Sequence, residues 1–203
     1  MRYVQLLCII AIGFLSACGT LPTPQSLSSV STAARDQPWR MAVVIVHTAT
    51  DIVVTPYVII TPENAPQLAE ISITLTISAA QRIRIPWRDD HGIRYAPAIL
   101  TGVLRSDPLR IDSVSEITTA LSEASVANMP TNQIVRVIGL LNSHPDSVFL
   151  HDRANPRMSR AFRPAWVSGT TPIRLAEGAP IMIEGVRVED ALIPLVIAPV
   201  ITR

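Results

Sequence analysis

Lysine is absent from the 203 residues, so all 17 basic side chains are arginine. That absence excludes Schiff-base chemistry, a lysine general base and a Walker-type phosphate loop, each of which needs the amine. Cysteine is nearly absent as well. The two present, Cys8 and Cys18, both precede Gly19, so beyond them no thiol can form a disulfide, a thiolate metal site or a nucleophile. Stability must come from packing alone. Charge of one sign is also lacking: the formal net charge is +1, and no global field draws the chain to nucleic acid or acidic lipid. The 17 prolines are scattered, which disfavours long helices.

What is present begins with a charge and an apolar run. Arg2 is a minimal basic n-region and Val4 to Leu15 an apolar h-region of secretory length. The run is too short to cross a bilayer, which needs ~20 apolar residues. It closes on Leu15-Ser16-Ala17-Cys18-Gly19, which resembles the lipobox of bacterial lipoproteins. The resemblance covers the first 19 residues. It implies that residues 1–17 are a signal peptide, that Cys18 is acylated and becomes the mature N-terminus, and that the protein is lipid-anchored at a cell membrane, facing the extracytoplasmic side. Residues 18–38 mix Pro, Ser, Thr and Ala without apolar periodicity and read as a tether.

From Trp39 the texture changes to short runs rich in Ile, Val and Thr, broken by Pro, Asp, Asn and Gly. Residues 41–47, 52–61, 71–77, 81–87, 93–104 and 109–114 read as strands of a first β-domain, residues 39–128. One helix is predicted over 116–128, because Ile117, Leu121 and Ala124 share a face and Asn128-Met129-Pro130 ends it. It is read as the link to a second domain, residues 129–203, where 133–142, 147–152, 172–175, 179–188 and 192–201 supply five strands. The predicted fold class is all-β, in two small domains.

In the second domain a long first strand carries Gly139 at its middle, a short second strand ends in Phe149-Leu150-His151-Asp152, and a run from Glu177 to Ile201 follows. This pattern resembles the OB-fold, a five-stranded Greek-key barrel in which a mid-strand glycine permits the bend that closes it. The resemblance covers residues 131–203, and it departs from the fold in leaving no room for a helix between Leu175 and Ala179. Ala96-Pro97-Ala98-Ile99-Leu100-Thr101-Gly102-Val103 also lines up with Ala179-Pro180-Ile181-Met182-Ile183-Glu184-Gly185-Val186. The first domain therefore reads as a duplicate OB-like barrel or as a β-sandwich. In both copies Thr101 and Glu184 are polar between apolar neighbours, which predicts one core face and one wet face.

Motifs for chemistry are few. His47, His91, His144 and His151 show no zinc-type spacing, and no G-x-S-x-G elbow or glycine-rich phosphate loop occurs. No catalytic residue, metal or cofactor is expected. Asp89-Asp90-His91-Gly92 sits between alternating runs and reads as a hairpin loop. Ile83, Ile85 and Trp87 alternate with Arg82, Arg84 and Arg88, which predicts core side chains on one face and solvated arginines on the other.

The segment 151–174 carries Arg153, Arg157, Arg160, Arg163 and Arg174 against the single acid Asp152, with Phe162 and Trp166 among them. Binders of anionic partners use this mixture, and OB barrels present ligands to their loops. These seven basic and aromatic residues are the candidate partner contacts. The expected partners are the membrane, through the lipid, and an envelope protein or anionic surface, with nucleic acid not expected. The function read is a non-catalytic binding or scaffolding module. The alternative is an envelope enzyme or enzyme accessory subunit whose site is assembled from scattered side chains.

Overall fold

No residue of Met41-Ala42-Val43-Val44-Ile45-Val46 suits water, and a strand of that composition needs cover on both faces. The computed structural model describes residues 22–27, 38–61, 64–69, 72–103, 110–111, 114–144, 147–153, 159–160, 163–164, 178 and 180–200, and in it the run has that cover. It forms the centre of β2 (Pro38–His47), which a short β1 (Gln25–Ser26) joins in parallel. The first sheet adds β3 (Ile52–Thr55), β6 (Ile73–Leu75), β7 (Arg88–Asp90), β8 (Ile93–Val103), β9 (Arg110–Ile111) and β10 (Val114–Thr118). Its order is β10-β8-β2-β3-β6-β9, with β7 on β8.

The second sheet holds β4 (Val58–Thr61), β5 (Asn64–Leu68), β11 (Leu121–Glu123), β12 (Ile134–His144) and β13 (Ser147–Asp152). It continues with β14 (Ser159–Arg160), β15 (Arg163–Pro164), β16 (Pro180–Val188) and β17 (Ala191–Pro199). The order is β14-β13-β12-β16-β17-β4-β5, with β11 on β12 and β15 on β17. The protein is thus mostly β, in two sheets that form no closed barrel among the described residues.

Side-chain alternation divides the core into three clusters. Met41, Val43 and Ile45 of β2 pack with Ala96, Ala98 and Leu100 of β8 inside the first sheet. Val135, Val137, Ile181, Ile183, Leu192 and Ile197 do the same inside the second. The opposite faces meet each other: Ala42, Val44, Val46 and Ile99 pack against Ile134, Val186, Ile193, Leu195 and Val196. This shared layer is what covers the second face of β2. The first half also contributes strands to the second sheet, because β4 pairs in parallel with β17, Val58 beside Val196.

Four expectations change on contact with the structure. Residues 116–128 form no helix: β10, β11 and a 3-10 turn (Val126–Asn128) occupy them, since β8 and β12 offer strand partners that outweigh a weak helical preference among Thr and Ser. Residues 81–87 form no strand: α1 (Ala79–Ile83) ends within them, with Ser78 and Gln81 making a reciprocal capping box. Ile83 is accordingly 85% exposed, whereas Ile85 is buried and Trp87 packs at the edge of the first core. Within the stretch read as a tether, Gln25–Ser26 pairs with β2 and Leu27 is buried in the first core. Finally, Glu184 is fully buried, because the face predicted to be wet is the shared layer.

Candidate functional site

The polar side chains of best-defined geometry lie at two places, the buried layer between the sheets and the end of β2. In the first, Glu184 stands on β16 directly opposite Arg136 of β12. Arg136 donates from Nε and Nη2 to Glu184 Oε1, at 2.9 and 2.7 Å, and from Nη1 to Glu123 at 3.4 Å. Arg88, arriving from β7 of the other sheet, donates from Nη1 to Glu184 Oε2 at 2.5 Å. Arg88 is therefore an ion-pair partner rather than a member of a solvated face. A buried carboxylate needs such partners, and here they come from both halves of the chain. Beside them Tyr95 is buried, and burial raises its pKa above 10.0, opposed by the charge of Arg88. Glu184 likewise raises the pKa of Arg136, chiefly through their hydrogen bonds. The arrangement holds the two sheets in register.

The second place is built by two turns. At the β2–β3 turn the Thr48 hydroxyl donates to the Asp51 carbonyl at 2.9 Å and accepts from the Asp51 amide at 3.0 Å. At the β7–β8 turn His91 and Gly92 have φ of 47° and 80°, the pair of positive values of a two-residue type I′ hairpin. The loop read at Asp89-Asp90-His91-Gly92 is therefore a hairpin. Between the turns lies a cleft of about 420 Å³ lined by Val46, His47, Thr48, Ala49, Leu68, Gly92, Ile93 and Arg94. Its volume is in the range of small-ligand sites.

The polar wall of the cleft is organised from beneath. His47 and Arg94 are direct cross-strand partners, and Arg94 pairs in turn with Asp89. Arg94 Nε lies 3.2 Å from Asp89 Oδ2, an ion pair between exposed side chains. The Trp87 ring meets His47 edge-on at 5.8 Å between centroids, and Arg94 Cζ sits 6.0 Å from the same ring. Arg82 Nη2 is 2.6 Å from His47 Nε2. Since guanidinium can only donate, Nε2 accepts and the ring proton sits on Nδ1. The cleft thus combines a charged fork, a hydroxyl and an imidazole with an apolar surface from Val46, Ile93 and Leu68. Chemically it suits an anionic group attached to an apolar body.

Compared with known protein families, with curated proteins and with solved structures, this chain matches none.

The residues predicted from sequence to contact a partner are placed unevenly. Arg153 is exposed just after β13. Arg160 and Arg163 fall in β14 and β15, whose backbones pair with Leu150 and Ala191. Arg157, Phe162, Trp166, Arg174 and the acylation candidate Cys18 lie outside the described residues. The cleft residues were missed because no local pattern joins them. The single hint was that His47 and Arg94 both flank turn-forming stretches. Among the described residues no helix is long and apolar enough to cross a membrane, and no cluster of His, Cys, Asp or Glu gathers as metal ligands.

Proposed function

We propose that the chain is a membrane-tethered extracytoplasmic lipoprotein, anchored through Cys18, whose folded part is a non-catalytic binding module. The resemblance of Leu15-Ser16-Ala17-Cys18 to a lipobox supports the anchor. We further infer that residues 39–128 and 129–203 are two OB-like barrels. In the first half β3-β2-β8-β10 pair in succession, and in the second β13-β12-β16-β17 do the same. In each half a short segment, β6 or β14 with β15, pairs antiparallel with the second strand. It also has a parallel partner, β9, the short strand that precedes β10, for β6, and β17 for β15. This order supports the OB-like reading of the two halves. Residues 96–103 of the repeat fall on β8 and residues 180–186 on β16, which hold the same place in the two orders.

The observation that carries the binding role is the cleft beside His47 and Arg94. Its ligand is an anionic group on an apolar body, the carboxylate or phosphate end of a larger envelope molecule. Octanoate is a suitable probe, with octanol as its neutral counterpart. Calorimetric titration should show octanoate binding at least tenfold more tightly than octanol, and Arg94→Gln should remove most of that preference, because a charge-assisted hydrogen bond contributes roughly 1.5–3 kcal/mol. Equal binding of the two probes, or an unchanged preference in Arg94→Gln, would refute the assignment.

A further inference from the structure

Two of the three large apolar side chains exposed among the described residues lie on one face of the second sheet: Leu68 on β5, 37% exposed, and Ile138 on β12, 44% exposed. Leu68 lines the cleft. Cross-strand register joins it, one partner at a time, to the buried ion pair. Leu68 stands opposite Val58, Val58 beside Val196, Val196 opposite Glu184 and Glu184 opposite Arg136. In the first sheet Val46 stands opposite Tyr95, and Tyr95 opposite Arg88. The two rows lie one over the other, because Val46 meets Leu68 at the cleft and Arg88 meets Glu184.

Side chains two residues apart on a strand share a face, so the rows on either side can be read off. Inward, Ala42, Val44 and Ile99 of the first sheet pack with Ile134, Val186 and Ile193 of the second. Outward, the first sheet runs into its β2–β3 and β7–β8 turns, while the second goes on with Ile60, Ala198, Met182 and Ile138, the last three in direct register. The first sheet has no strand left to cover this row. Ile60, Ala198 and Met182 are accordingly only half-buried, and Ile138 is exposed. Leu140 and Pro180, opposite each other in the next row, are half-buried too. None of these six side chains is polar, and a contiguous apolar surface of this kind marks a binding site. From β5 to β12 the strip crosses four interstrand spacings, about 19 Å, the length of a long hydrocarbon chain rather than of a compact ligand.

We propose that this strip holds the apolar body of the cleft's ligand, which is therefore a long-chain amphiphile: its anionic end lies in the cleft beside Arg94, and its chain runs from Leu68 across Met182 to Ile138. The inference rests on the anionic reading of the cleft for the head of the ligand, and the experiment tests head and chain separately. The full chain would be titrated calorimetrically with octanoate and with tetradecanoate. Tetradecanoate should bind at least tenfold more tightly, because its six further methylenes leave water on the strip. Ile138→Ser should cut that gain at least threefold, and Ile83→Ser, at an exposed isoleucine off the strip, should leave it unchanged. Location is read without any variant: tetradecanoate carrying a nitroxide near its methyl end should broaden the methyl resonance of Met182 well before those of Met41 and Met129, which are buried in the cores of the two sheets. Equal binding of the two chain lengths, or a Met182 resonance no broader than the other two, would overturn the proposal, and the cleft reading would still stand if octanoate kept its preference over octanol. A long-chain gain without any preference for octanoate over octanol would keep the strip and remove the anionic head. A dimer in sedimentation that Ile138→Ser dissociates, with no long-chain gain, would assign the strip to a second copy and overturn the proposal.

Discussion

Glu184→Ala should lower the stability of the folded protein by about 3 kcal/mol, read as a shift of the urea midpoint at unchanged slope. The side chain is fully buried and holds Arg88 and Arg136 from opposite sheets. Breaking a buried pair costs about 3–5 kcal/mol when the remaining charge stays buried. Here the arginine side chains are 31% and 35% exposed and regain some water, which places the expected loss at the low end. Arg88→Ala alone should cost less. A double-mutant cycle on Arg88 and Glu184 should still return a coupling of about 1 kcal/mol or more, because the two groups are in direct contact. An unchanged midpoint in Glu184→Ala would mean that the halves are held by apolar packing only.

Gly185→Ala should be comparably damaging. A Cβ at this position would stand 2.5 Å from the Ile193 carbonyl oxygen and 3.2 Å from Pro194 Cα, both backbone atoms that cannot rotate away. The ladder is already interrupted here, with a bulge between Glu184 and Gly185 facing Pro194, which has no amide to donate. Gly139→Ala meets a similar obstacle, the His151 carbonyl oxygen at 2.6 Å. Overpacking of this kind costs about 1–3 kcal/mol, and each kcal/mol lowers Tm by roughly 2–4 °C in a chain of this size. Tm losses of about 5 °C or more in both variants are expected by calorimetry. A wild-type Tm in either would show that the strands can separate at that point without penalty.

The β class could be read from the sequence because short Ile, Val and Thr runs set off by turn residues survive in any context. The turn at His91-Gly92 was equally plain, since positive φ has a chemical signature. The helix α1 left a signal too, the Ser78-x-x-Gln81 capping box, but the alternation of Ile and Arg after it matches a strand as well as it does an exposed helix followed by a bend. The linking helix failed for the complementary reason. Ile117 and Leu121 keep helical spacing, yet β8 and β12 were available as partners and no local rule weighs that. Glu184 marks the limit most clearly. Its polarity predicted water, and what covers it is a surface folded from the other half, with its ion-pair partners 48 and 96 residues away in sequence. The cleft was hidden in the same way, because His47, Arg82, Trp87 and Arg94 converge only once β2, β7 and β8 are paired.

The tether is where sequence and structure combine most usefully. Its composition resembles a linker, but a parallel pair of residues and one buried leucine suffice to pin it to the first sheet. If Cys18 is acylated as proposed, few residues separate the lipid from β1 and the first sheet should sit close to the bilayer.

Membrane attachment is proposed to depend on Cys18 alone. Cells expressing the wild-type chain and Cys18→Ser would be grown with labelled palmitate, and their membranes pelleted and washed in high salt. The wash screens exposed charges beyond a few ångströms and would release a protein held by surface charge alone. The wild type should carry label and stay in the pellet, while Cys18→Ser should carry none and pass to the supernatant. A Cys18→Ser protein that remains in the washed pellet would contradict the account.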